Sequence, residues 1–182
     1  MKIKIFKSDK TFINESVKFI FKICKNKKSI NIALSGGDTP KPIYEALANK
    51  NDKAVFHYIK QKINFYQVDE RYVPKTDSNS NYKMINETLV KKTGFNFYHF
   101  DTSLSIKKSL AAYSKHLPKK PFDLTILGIG PDGHIASLFP NSKALTGKKS
   151  VAHTTTTNFA IKDRLTLTFP PILKSKNVLI LL

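Results

Sequence analysis

Three times along this chain a short apolar run stops abruptly in a turn of glycines or charged residues. Ile30 to Leu34 stops at Ser35-Gly36-Gly37-Asp38-Thr39-Pro40, after which Ile43, Tyr44 and Leu47 fall at helical spacing. Thr39 reads as a helix cap and Pro40 as the first helical position, where a missing N–H is harmless and φ is already set. Ile63 to Val68 ends in Asp69-Glu70-Arg71, then a loop leads through Pro74 to Asn81 and a helix over about 82–92 closed by Gly94. A helix over 105–117 precedes Phe122 to Leu127, which runs into Gly128-Ile129-Gly130-Pro131-Asp132-Gly133-His134. Strands alternating with helices in this way predict an α/β domain whose largely parallel sheet is buried on both faces.

The remaining segments fit one domain over 1–182. Met1 to Phe6 alternates Lys with Ile and Phe like a short strand, and 11–25 carries the stripe of an amphipathic helix. Residues 150–157 and 164–169 read as strands, 170–173 as the start of a short helix, and 177–182 as a core strand. No repeat or Pro/Gly/Ser-rich linker marks a second unit. Cys24 is the only cysteine, which excludes an intramolecular disulfide and a cysteine metal cluster. Neither a signal peptide nor a membrane span is apparent, so a cytoplasmic protein with no membrane partner is expected.

A formal net charge of +18 raises the question of nucleic acid. Of the 31 basic residues 29 are Lys, dispersed through the chain, whereas Arg, the better fork for bases and phosphates, is nearly absent. No specific nucleic-acid partner is therefore expected, although the charge helps attract anionic substrates. Against that background Arg71 and Arg164 stand out as candidates for bidentate anion recognition.

In open α/β sheets ligands bind beyond the carboxyl ends of the strands, so the three turns predict one shared site. The turn Ser35, Gly36, Gly37 to Thr39 suits a phosphate, because glycines admit close backbone approach and the following helix presents unpaired N–H groups. Gly128, Gly130 and Gly133 spell the G-x-G-x-x-G string of dinucleotide sites. Asp132 among the amides, Pro131 without its N–H and the lack of a ribose-binding acid argue against that reading. The turn instead presents Asp132 and His134 to a small ligand. His134 is a candidate general base, with Asp132, Asp69 or Glu70 available to orient it. Asp69 and Glu70 can equally be a solvated strand end or a helix cap. No spacing suggests a structural zinc or calcium site, and Ser137 lacks the elbow of a nucleophilic serine. Metal-free acid-base chemistry on a phosphorylated small molecule is what the residues themselves predict.

Taken together, Ser35 to Pro40, Asp69-Glu-Arg-Tyr-Val73 with Ser80-Asn81, Gly128 to Pro140, and Arg164-Leu-Thr-Leu-Thr168 resemble the 6-phosphogluconolactonase family, related to glucosamine-6-phosphate isomerase/deaminases. The resemblance implies a Rossmann-like three-layer fold and opening of a sugar-phosphate lactone in the oxidative pentose phosphate pathway, with no cofactor and no metal. It makes His134 the base that activates water, with Asp132 in its motif; Asp69, read above as a carboxylate able to orient the histidine, is expected as a further catalytic residue. Ser35, Gly36, Gly37, Thr39 and Arg164 are implied in phosphate binding, and Glu70 and Arg71 in substrate binding. The deaminases follow the histidine with Phe-Asn-Glu-Pro, whereas Ser137-Leu138-Phe139-Pro140 stands here, which favours the lactonase branch.

Family members continue beyond the strand at 177–182 into a Gly-x-x-Lys-type turn and a final helix. A shortened enzyme with reduced or absent activity is accordingly an expectation. The alternatives are a non-catalytic sugar-phosphate-binding relative and, less favoured, an amino-sugar-phosphate isomerase/deaminase. Stabilisation by ligand without turnover would mark the binding protein, and affinity that falls steeply with salt a nucleic-acid binder.

Overall fold

The computed structural model describes residues 2–25, 27–49 and 63–182. Helix α1 spans Asp9–Cys24, two residues earlier at its start than periodicity predicts, because the Ser8 hydroxyl accepts the Thr11 N–H and Asp9 adds negative charge to the first turn. Its buried stripe is Val17, Ile20 and Cys24. The alternating segment before it is not a strand. Residues 2–6 have no sheet partner, and Ile3 and Ile5 are 73% and 92% exposed. Alternation alone cannot make a strand where no ladder receives it.

Strands β1 (Ile30–Leu34), β2 (Ile63–Gln67), β4 (Asn96–Tyr98), β5 (Leu124–Gly128) and β8 (Val178–Leu181) form a parallel sheet in the order β4-β2-β1-β5-β8. A second, antiparallel sheet has the order β3-β7-β6, with β3 Asp69–Arg71, β6 Val151–Thr155 and β7 Asp163–Leu167. The helices are α2 (Lys41–Asn49), α3 (Asn81–Ile85), α4 (Lys91–Thr93), α5 (Ile106–His116) and α6 (Phe169–Leu173). The helix expected over 82–92 is α3 and α4 joined by a π-helical turn at Asn86–Val90, where Lys91 N–H reaches the Asn86 carbonyl. Gly94 closes it at φ +69°, in the left-handed region that glycine enters freely.

Both faces of the central strands β1, β2 and β5 are covered, which is why they read as nearly continuous apolar runs. β8, expected as a core strand, is an edge strand with Val178 and Ile180 exposed on one side. Ile30, Ile32 and Leu34 pack with α1 and α2, and the intervening Ala33 joins a separate core with Phe100, Tyr113, Leu138, Leu165 and Leu167. Period two thus divides one strand between two cores. The two sheets meet at Val68, which is fully buried. Its N–H donates to Leu34 O of the parallel sheet at 2.9 Å, and its carbonyl accepts from Leu167 N at 2.7 Å, so the chain changes sheets at one residue.

At the amino end of the parallel sheet, Asp123 holds three segments. Its carboxylate accepts from Asn31 N at 3.0 Å, Lys27 Nζ at 2.9 Å and Lys176 Nζ at 2.9 Å. Burial opposes the charge, but these bonds outweigh it and leave the carboxyl below its usual range. Its contribution is therefore complete above the ordinary carboxylate range and is lost as pH falls through the depressed folded value. Asp123→Ala is expected to lower stability to urea by about 1–3 kcal/mol at neutral pH. The difference from the parent should shrink below about pH 4, as the aspartate is protonated in the unfolded and then the folded chain.

Candidate active site

β1 lies between β2 and β5, so the turns that leave the carboxyl ends of these three strands are neighbours. The crossover from β1 runs to one side of it and β5 lies on the other, which makes this the switch point where α/β sheets bind ligands.

The Asp69-Glu70-Arg71 strand is organised by its middle residue. Glu70 is 1% exposed, and its two oxygens accept five hydrogen bonds: from Gln67 Nε2, Ser80 Oγ and the N–H groups of Arg71, Asn81 and Tyr82. Asn81 and Tyr82 open α3, so this carboxylate satisfies the unpaired donors of a helix start. Burial raises its pKa against those bonds. Gln67 is itself fixed, accepting from Tyr113 Oη at its carbonyl and from Phe100 N at its side chain. Glu70, implied in substrate binding by the resemblance, spends its hydrogen-bonding capacity inside the protein, as the helix-cap alternative anticipates.

β3 and β7 pair antiparallel with Arg71 directly opposite Arg164. Like charges in that position repel, so the pairing is costly unless something negative lies between or beside them. Arg164 is 7% exposed. Burial first, then the Arg71 guanidinium, pulls its pKa below the usual value, while Asp69 and Glu70 act the other way. Arg71 Nη1 donates to Asn79 O at 2.8 Å and its buried Nε has no partner among the described residues; Arg164 Nε donates to Ile161 O at 3.0 Å. These bonds hold both forks by one edge.

The first glycine turn packs against Asn81 at the start of α3. Gly36 is required by contact, since a Cβ there would meet Asn81 Oδ1 at 1.9 Å, and Gly37 is required by its φ of +97°. Ser35 is buried and donates its hydroxyl to Ile126 O at 2.8 Å, which ties the turn to β5 instead of offering that proton to a ligand. Tyr44 of α2 donates to Ser35 O at 2.9 Å. Thr39 is exposed at the turn.

His134 and Asp132 are hydrogen-bonded through His134 Nδ1 and Asp132 Oδ1. That bond, more than any other influence, holds the Asp132 carboxyl below its usual range. An ionised Asp132 favours the imidazole tautomer with its proton on Nδ1, which leaves Nε2 as the ring's acceptor. Gly130 makes room for the ring, because a Cβ there would lie 2.1 Å from His134 Cε1. The ring is walled by Phe139 and Phe159, at centroid distances of 4.7 and 5.4 Å, and Arg164 lies 5.8 Å from the Phe159 centroid. Phe159 thereby links histidine and arginine across the site, a contact with no signature in the sequence. Asp69, 6% exposed, accepts from Ser137 Oγ at 2.7 Å. Among the described residues no group of three His, Cys, Asp or Glu could hold a metal, and no helix is long and apolar enough to cross a membrane.

The family described as glucosamine-6-phosphate isomerases/6-phosphogluconolactonase matches residues 10–182, and this chain belongs to it. A "Probable 6-phosphogluconolactonase" of Dictyostelium discoideum is 42% identical, over 91% of this chain and 75% of its own length. The 6-phosphogluconolactonase of Thermotoga maritima is 38% identical, over 88% of this chain and 72% of its own. A crystal structure of the Thermotoga maritima enzyme superposes with a TM-score of 0.83 at 33% identity, covering 94% of this chain and 78% of that one. The structure of 6-phosphogluconolactonase from Trypanosoma brucei gives 0.87 at 29% identity, with 98% and 80% covered. The Rossmann-like α/β assignment agrees with these structures.

Two substitutions separate scaffold from chemistry. Glu70→Gln removes the charge and turns an amide NH₂ toward N–H donors, and is expected to lower stability to urea by about 1–3 kcal/mol. Gly130→Ala drives a methyl group into the imidazole and is expected to reduce kcat by at least about tenfold, because an ångström of displacement at a reacting group is costly. Far-ultraviolet circular dichroism close to the parent's would show that Gly130→Ala keeps the fold.

Proposed function

We propose that the chain hydrolyses 6-phosphogluconolactone to 6-phosphogluconate, with the Asp132–His134 pair as the observation that carries the reading. Relatives at 42% and 38% identity bear that enzyme's name, the first as "Probable 6-phosphogluconolactonase". His134 Nε2 takes a proton from water as the oxygen attacks the lactone carbonyl. The imidazolium formed is stabilised by Asp132, and it returns the proton to the ring oxygen as the carbon–oxygen bond breaks. The products are one carboxylic acid and one hydroxyl, so atoms and charge balance with water as the only co-reactant.

Arg71 and Arg164, opposed across β3 and β7, take the substrate's negative charge, together with the backbone of Gly36 and Gly37 and the exposed Thr39 hydroxyl. Ser35 shapes that turn through its bond to β5. Asp69 accepts from the attacking water and orients it, and Glu70 acts by holding β3 against α3. The substrate is a small phosphorylated lactone and the compartment the cytosol, a reading the buried lone thiol of Cys24 accords with.

The amino-sugar alternative fares less well at one position. Phe139, where the deaminase motif carries its glutamate, is 5% exposed and packed on the His134 ring, so no carboxyl acid stands there.

Freshly generated 6-phosphogluconolactone, followed above its spontaneous hydrolysis, tests the reading. The parent is expected to accelerate ring opening, and His134→Ala to lose about 10²–10⁴-fold in kcat. Equal rates for variant and parent would remove the base role; no rate from folded parent would remove the activity.

A further inference from the structure

Every polar group of Ser137 is engaged, and each engagement reaches a different strand of the small sheet. Its N–H donates to Thr166 Oγ1 of β7 at 3.2 Å, its carbonyl accepts from Thr154 Oγ1 of β6 at 2.7 Å, and its hydroxyl donates to Asp69 Oδ2 of β3 at 2.7 Å. The residue is 1% exposed, so all three bonds are shielded from water. Ser137 lies three residues beyond His134, on the loop that leaves β5 of the other sheet. Ala136, between them, sits at φ +53°, a left-handed conformation costly for a residue with a Cβ. That turn lets His134 face the aromatic pair while Ser137 faces β3.

The other Asp69 oxygen accepts from Asn81 Nδ2 at a longer 3.4 Å, and the same Nδ2 also reaches the Asp69 carbonyl at 3.0 Å. Asn81 in turn rests on Gly36. The Asp69 carboxylate is thus held between the histidine loop and the phosphate turn, with the shorter bond coming from Ser137. Arg164 from β7 and Tyr44 from α2 feel its field.

We propose that Ser137 is a positioning residue for Asp69: its hydroxyl fixes the carboxylate in the one orientation from which it directs the attacking water to His134. This rests on the reading of Asp69 as part of the lactonase machinery. Ser137 touches no substrate and acts through Asp69 alone. Alanine at 137 retains both backbone bonds and loses only the hydroxyl. The hydroxyl bond also ties the loop to β3, so a purely structural role would move the melting temperature, whereas a positioning role moves kcat with KM little changed.

The test is steady-state lactone hydrolysis by Ser137→Ala, Ser137→Thr, Thr166→Val, Thr154→Val, Asp69→Asn and the Ser137→Ala/Asp69→Asn double variant, with thermal melts alongside. Ser137→Ala is expected to lower kcat about tenfold with KM within about twofold, the pattern of an interaction made in the transition state. Ser137→Thr keeps the donor and should recover most of kcat. Thr166→Val and Thr154→Val should lower the melting temperature with kcat within about threefold of the parent. On the Asp69→Asn background Ser137→Ala should add no further loss, because residues acting as a unit are non-additive.

Parental kcat in Ser137→Ala while Asp69→Asn is impaired would overturn the proposal alone, as would a full additive loss in the double variant. Parental kcat in Asp69→Asn would overturn the Asp69 reading itself. Should Ser137→Ala fail to fold, Ser137→Cys preserves the shape with a weaker donor, and the same kcat and double-variant outcomes decide.

Discussion

Two guanidinium groups face each other across one antiparallel register, and much of the site can be understood as what permits that. Arg71 and Arg164 are directly opposed on β3 and β7, and Arg164 is almost wholly buried. The repulsion is tolerated because Asp69 and Glu70 lie on the same short strand as Arg71 and supply opposing charge. In the function proposed above, the substrate's phosphate relieves it further. A fold that places two cations together before its ligand arrives has set aside part of its stability for binding, the exchange expected at functional sites.

That arrangement depends on a three-residue strand, which cannot hold its own position. Glu70 does it. By accepting the first N–H groups of α3, it docks β3 onto a helix, and Gln67 passes the constraint inward to Tyr113. Val68 makes the transfer between sheets in one residue, so β3 begins immediately where β2 ends. On the other side Ser137 joins the histidine loop to all three strands of the small sheet. His134, on the loop after β5, and the two arginines therefore hang from different sheets, held in fixed relation by hydrogen bonds that water does not reach.

What the sequence makes legible here is whatever is local. The strand, glycine turn and helix around Ile30 to Leu47 can be read because periodicity and punctuation lie within one short window. The Asp132–His134 pair can be read because its members are two residues apart on one turn. Pairings between distant segments are not legible in the same way. β3 is too short to announce itself, and its partner β7 lies nearly a hundred residues later. The Ser137–Asp69 bond and the Phe159 wall join segments that no local pattern connects. Glu70 shows a further ambiguity, since a carboxylate at a strand end looks the same whether it faces a ligand or caps a helix. Residues 2–6 show the converse: a clean alternation with no ladder to join.

In the proposed function the opposed arginines hold the substrate's phosphate at a set distance from His134. The decisive measurement is the ratio of kcat/KM for 6-phosphogluconolactone over unphosphorylated gluconolactone, in the parent and in Arg164→Ala. A large ratio is expected in the parent, collapsing by about tenfold or more in the variant through loss on the phosphorylated substrate alone. A variant that loses equally on both substrates, leaving the ratio intact, would contradict it.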